Sequence, residues 1–149
     1  MSTKNLPGIK SVEYLPATET VLYPKLIPAP GTVISVIGDF TRMPTVELIS
    51  CVVTDERTDA GLVYTTKVTG IALECSELTT AQRHTLREKY HVYRLTDVYN
   101  NKYLVGVDKK PYPEINFQQA IDGQSSGSRA VPFEITWKST LPPLELVAL

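Results

Sequence analysis

The strongest constraint in this chain is a strict two-residue alternation towards its C-terminal end. Val131, Phe133, Ile135 and Trp137 alternate with Pro132, Glu134, Thr136 and Lys138. Ile115, Phe117 and Ile121 alternate with Glu114, Asn116, Gln118 and Ala120. Successive side chains of a strand point to opposite faces, so this pattern demands a sheet with one dry and one wet face. Just upstream, HVYRLTDVYNNKYLVGV (residues 91–107) carries a second strand–turn–strand signal. The stretch His91–Lys138 is therefore read as two consecutive β-hairpins, around which the rest of the chain is organised.

The first hairpin is expected to turn at Asn100-Asn101, because Asn tolerates positive φ. That register sets Val98 opposite Tyr103, Thr96 opposite Val105 and Arg94 opposite Val107. It yields a core face of Val92, Val98, Tyr103, Val105 and Val107. The other face, with Tyr93, Leu95, Asp97, Tyr99, Lys102 and Leu104, is half apolar and needs a cover from the helix or from a partner. A one-residue slip exchanges the two faces. The second hairpin closes through DGQSSGSRA (residues 122–130). Hairpin loops usually run about 2–5 residues, so this one is read as a flexible contact loop.

Further strands are expected at Thr32–Ile37, Thr45–Thr54 and Leu62–Glu74, from their β-branched content. Phe40–Pro44 reads as a loop and Asp55–Gly61 as a polar turn. Within the third strand, Leu62, Tyr64, Thr66, Val68 and Ala72 share one face, while Thr65, Lys67 and Thr69 face water. Gly70 marks a bulge or a close backbone approach. One flanking helix is expected at about 78–90, with Thr79 and Gln82 as a capping box. Its apolar stripe of Leu78, Leu86 and Tyr90 is thin, which places it outside a sheet. The tail STLPPLELVAL (residues 139–149) docks as a last short strand.

Residues 1–30 read as an extended Pro-rich arm, and residues 31–149 as a single β-rich domain. Pro7, Pro16, Pro24, Pro28 and Pro30 interrupt the arm and leave small β pieces at Ile9–Tyr14 and Val21–Tyr23. Fully extended, thirty residues reach up to roughly 100 Å. The arm is thus long enough to wrap its own sheet or to dock on a neighbouring subunit.

The chain of 149 residues is long enough to hold a core without staples. Lys plus Arg is 15 and Asp plus Glu is 16, a net charge of −1, so no specific nucleic-acid binding is expected. No apolar run approaches the length of a membrane span, and residues 1–30 lack a secretory pattern, so neither membrane insertion nor export is expected. Cys51 and Cys75 provide no disulfide framework.

Few residues offer chemistry. Cys51, Cys75, His84 and His91 match no zinc spacing, so no metal site is assigned. Cys51 and Cys75 read as small buried hydrophobes, and the two histidines as surface or capping residues. GQSSGSR (residues 123–129) lacks the Lys and the following helix of a phosphate loop, and Arg129 fits a partner's carboxylate better. Asp55, Glu56 and Asp59 lack the calcium-loop pattern and read as a solvated turn. No nucleophile elbow or carboxylate pair is legible. Catalytic residues are therefore none, cofactors none, and the chain is not read as an enzyme.

HVYRLTDVYNNKYLVGVDKKPYPEINFQQAIDG, a long polar loop and AVPFEITWKSTLPPLEL follow one another here, with GIKSVEYLP near the N-terminus. This order resembles small structural proteins of bacteriophage tails and head-to-tail connectors. They likewise have a Tyr-Leu-Val-Gly-like strand, a Pro-containing connection and a last Phe-Glu-Ile-Thr-Trp-style hairpin. The resemblance implies a mainly β subunit, a β-sandwich or barrel of antiparallel hairpins with a flanking helix. It implies a homo-oligomeric ring built through arms and loops, contacts with other phage structural proteins, assembly in the host cytoplasm and residence in the virion. The competing readings are a bacterial β-rich binding module of adhesin or carbohydrate-binding type, which needs an aromatic platform, and a small enzyme with a dispersed site.

Overall fold

The computed structural model describes residues 2–5, 8–19, 21–23, 33–73, 80–107, 110–117 and 130–146. The elements in chain order are β1 (Ser2–Asn5), β2 (Ile9–Pro16), a 3-10 turn at Ala17–Glu19, β3 (Val21–Tyr23), β4 (Val33–Ile37), β5 (Thr41–Met43), β6 (Thr45–Thr58) and β7 (Gly61–Leu73). They continue with α1 (Thr80–Glu88), β8 (His91–Asp97), β9 (Lys102–Val105), β10 (Glu114–Phe117), β11 (Ala130–Ser139) and β12 (Leu144–Leu146). The fold is mainly β, as the alternation demanded, with the expected flanking helix.

The strands run in the order β10-β11-β7-β6-β2-β8-β9-β12-β4-β3, with β1 also on β6 and β5 also on β2. The order does not close on itself, so of sandwich and barrel the chain forms the sandwich-like arrangement. Among the described residues all pairings are antiparallel except β12 with β4.

A first sheet consists of β10, β11, β7 and β6. Its ladder sets Cys51, Val68 and Ile135 side by side, and Val53, Thr66 and Trp137 likewise. All six are buried, whereas Lys67, Thr69 and Lys138 on the other face are exposed. The expected faces of the third strand therefore hold through its middle. Leu62, assigned inward, is exposed, because it lies beyond the flanking strands. At Gly70 an added Cβ would stand 3.0 Å from both Ile49 Cγ1 and Phe133 Cζ, so the expected close approach is real. The β6–β7 register also shifts opposite it, between Val46 and Ser50.

The order continues from β6 into a second sheet of β2, β8, β9, β12 and β4 with β5 on β2, and two segments join the two sheets at a corner. Ser2–Asn5 pairs with Asp55–Val52, Ile9 with Ile49, and Val12–Tyr14 with Met43–Thr41. Each segment thus begins in one sheet and ends in the other. Here the sequence reading needs correction. Residues 9–17 do not form an arm apart from the 31–149 domain. Ile9, Val12, Leu15 and Ala17 belong to the one core, and β2 pairs along its length with β8. Thr41–Met43, read as loop, is the edge strand beside β2. Residues 24–30 of the expected arm lie outside the described residues.

The first hairpin also needs correction. Its register is Tyr93 with Val105, Arg94 with Leu104, Leu95 with Tyr103 and Thr96 with Lys102. The loop is four residues long, Val98–Asn101, with only Asn100 at positive φ (67°). Tyr93, Leu95, Tyr103 and Val105 therefore share one face, and Val98 is exposed rather than in the core. The second face is covered within the chain. Gly38 lies against Leu15, Phe40 lies over Arg94, and Gly106 lies against Pro113 and Val92. Consequently β8 is buried on both faces apart from the half-buried Arg94.

The two hairpins are consecutive in sequence but lie in different parts of the fold: β8–β9 joins β2 and β12, and β10–β11 joins β7. The second pairs as expected, Ile115 with Ile135 and Phe117 with Phe133, and the tail supplies β12. Residues 118–129, which hold the end of the expected strand and all of the expected 122–130 loop except Ala130, lie outside the described residues.

Candidate contact surface

Two elements protrude from this frame. The first is the tip of the β6–β7 ribbon. Flanking strands end at Asp55 on the β6 side and at Tyr64 on the β7 side, yet the ribbon continues through Glu56–Val63, Arg57–Leu62 and Thr58–Gly61. The polar turn expected over Asp55–Gly61 is therefore mostly ladder, turning only at Asp59-Ala60. Thr58 Oγ1 donates to the Gly61 carbonyl at 2.8 Å, and Gly61 takes φ 117°, which only glycine adopts readily. Glu56, Asp59 and Leu62 are exposed along this projection. A two-stranded ribbon is marginal alone, so this projection depends on the sheet it extends from.

The second is the β8–β9 turn. Asp97 is fully buried, and its carboxylate organises the loop. Oδ1 accepts the Tyr99 N–H at 2.9 Å and the Asn101 N–H at 2.8 Å, and Oδ2 accepts the Tyr103 hydroxyl at 3.3 Å. The Val98 N–H donates to the Gly8 carbonyl at 3.0 Å, and Lys10 Nζ donates to Asn100 Oδ1. Burial, then the charge and hydrogen bond of Asp97, raise the Tyr103 hydroxyl above its ordinary pKa. The fastened loop holds Val98 and Tyr99 out in water, Tyr99 at 73 % exposure. Sequence reasoning missed this pair by placing the turn at Asn100-Asn101. The available signal was Asp97 itself, since Asp commonly accepts from the backbone two residues on.

A shallow hollow of about 240 Å³ lies between the C-terminal end of α1 and β10. Leu86 forms its floor, buried as expected for the helix stripe. Tyr90, expected on that stripe, lies past the helix end and is 55 % exposed. It stacks on Tyr112 with ring centroids 4.9 Å apart. Leu78, Thr79 and therefore the capping box lie outside the described residues.

The residues singled out for chemistry are dispersed. Cys51 is buried in the first sheet, and burial pushes its thiol up to about 12, which leaves it protonated and inert. His84 is exposed and meets Glu88 at 2.9 Å. His91, read as a surface or capping residue, is not on the surface but does meet a carbonyl just past the end of α1. It is buried at the start of β8, its Nδ1 2.9 Å from the Lys89 carbonyl and its ring edge-on to Tyr14. Burial foremost lowers its pKa. Trp137 is fully buried, with Nε1 donating to the Pro111 carbonyl at 3.0 Å, so it is no platform for a ligand. Cys75 and Arg129 lie outside the described residues. Among the described residues no group of three or more His, Cys, Asp or Glu is placed to hold a metal ion, and no helix is long and apolar enough to cross a membrane. Comparison of the chain with family models, with curated proteins and with solved structures finds no match.

Proposed function

We propose that this chain is a structural subunit of a tailed bacteriophage virion, in the tail or the head-to-tail connector. In this reading it assembles into a homo-oligomeric ring in the host cytoplasm, and its role is contact rather than catalysis. The observation that carries the assembly part is the pairing of one buried core with two projections, the Glu56–Val63 ribbon and the Val98–Tyr99 turn. Protruding elements with exposed apolar side chains are what partner subunits grip. The virion part rests on the sequence resemblance. Two features that argued for partners no longer do so: β2 and the second face of β8–β9 are satisfied within the chain.

A binding-module reading has one observation in its favour, the stacked Tyr90–Tyr112 pair beside the hollow. One experiment separates the two readings. Particles of the phage that encodes the chain are purified and their proteins quantified by peptide mass spectrometry, and the isolated chain is titrated with a panel of glycans. The virion reading expects many copies per particle and no glycan binding. Absence from the particle together with saturable glycan binding would establish the alternative.

A further inference from the structure

We propose that Lys10 and Asn100 join covalently, through an amide bond between their side chains. Three features of the structure meet at this pair. On β2 the two-residue step from Ile9 to Ser11 answers the single step from Asp97 to Thr96 on β8, so Lys10 is the extra residue of a bulge. A bulge re-aims a side chain, and from this one Lys10 Nζ donates to Asn100 Oδ1, 90 residues along the chain. Among the described residues Asn100 alone, glycines apart, takes a positive φ (67°). Its backbone is held on both sides: the Tyr99 and Asn101 N–H groups end on the buried Asp97 carboxylate, and the Asn100 N–H on the Asp97 carbonyl.

The chemistry follows from the two groups. Lys10 meets a neutral amide and not a carboxylate. A carboxylate would hold the ammonium as an ion pair, whereas an amide carbon is an electrophile for an amine. An amine resting on Oδ1 lies one carbonyl bond from Cγ, the atom it must attack, and holding reactants so close turns an encounter into an internal step. The Nζ lone pair of the neutral amine forms the Nζ–Cγ bond. The Cγ–Nδ2 bond breaks, one proton passes from Nζ to Nδ2, and Nδ2 leaves as ammonia. No oxidant or further reactant is consumed. Both side chains are exposed, so water can carry the proton and ammonia escapes. An exposed amine is mostly protonated near neutrality, so the step is slow there and quickens with pH. The product closes residues 10–100 into a ring and fastens the projecting turn to β2.

The test is the intact mass of the purified full chain, held at neutral pH and at about pH 9, beside Lys10→Arg and Asn100→Gly. The native chain is expected to become lighter by one ammonia, about tenfold faster per pH unit, and to yield a branched 10–100 peptide on digestion. Both variants should keep their mass. Arginine retains the charge without the nucleophile, and glycine accepts the positive φ, so circular dichroism should show both folded. The linked chain should melt at a higher temperature than Lys10→Arg. A native chain whose mass never changes overturns the proposal. Hydrolysis of the Asn100 amide without a link overturns it too, since water and not Lys10 then attacks. Loss of ammonia with no branched peptide, or a link through Lys102 or between two chains, likewise overturns it.

Discussion

The two hairpins between His91 and Lys138 solve the same problem in opposite ways. In β10–β11 the sheet has water on one side: Ile135 is buried, while Thr136 beside it is only half-buried, on the water side. In β8–β9 both sides are dry, and Leu95 and Leu104, on opposite faces, are both fully buried. The difference comes from neighbours. Lys67, Thr69 and Lys138 on the polar face of the first sheet are exposed, whereas Gly38 and Phe40 lie against Leu15 and Arg94 on the second face of β8. A period of two therefore reports a one-sided sheet, and a continuous apolar run reports a strand between two layers.

The largest effects should come from testing that contrast directly. Ile135→Ala should cost about 2–5 kcal/mol in chemical denaturation, and Thr136→Ala, one position on, under about 1 kcal/mol. In the other hairpin there should be no cheap face: Leu95→Ala and Leu104→Ala should each cost about 2–5 kcal/mol. A near-neutral Leu104→Ala would mean that the second face is open and awaits a partner after all.

Next in size is the turn. Asp97→Ala removes the acceptor of two backbone N–H groups and one hydroxyl and should cost roughly 3 kcal/mol, read in the same denaturation assay. Amide exchange at Tyr99 and Asn101 should rise with it. Unchanged exchange would show that the turn is held by something other than this carboxylate.

This contrast also explains what was legible in the sequence. The first sheet could be read because water on one face writes an alternation into β7, β10 and β11. In β8–β9 every second position gave no information, since Tyr93 and Val92 are equally buried. Register then hung on the turn, and the Asn pair was a weaker signal than Asp97. The N-terminal prolines suggested an arm. Yet Pro16 sits at the last residue of β2, where a lost donor costs little. The candidate contact residues were legible only in kind, because Tyr99 is exposed through the chain's conformation and not through any pattern around it.

A smaller effect should distinguish the buried end of β8 by pH. Burial holds His91 below its usual value, helped by the Lys89 charge and opposed by the Lys89 carbonyl. The unfolded chain then takes up the proton first as pH falls. The stabilisation is complete above about 6.5 and is lost progressively below it, towards the lowered folded value. Thermal melting from pH 8 to pH 5 should fall more steeply for the native protein than for His91→Gln. Parallel slopes would show that His91 titrates alike in both states.

The claim that unites these regions is that the core is complete within one chain and that the projections exist for other copies. Light scattering of the purified full chain over a range of concentrations tests it most directly. The account predicts a single, uniform mass of several subunits. A monomer at every concentration would contradict it.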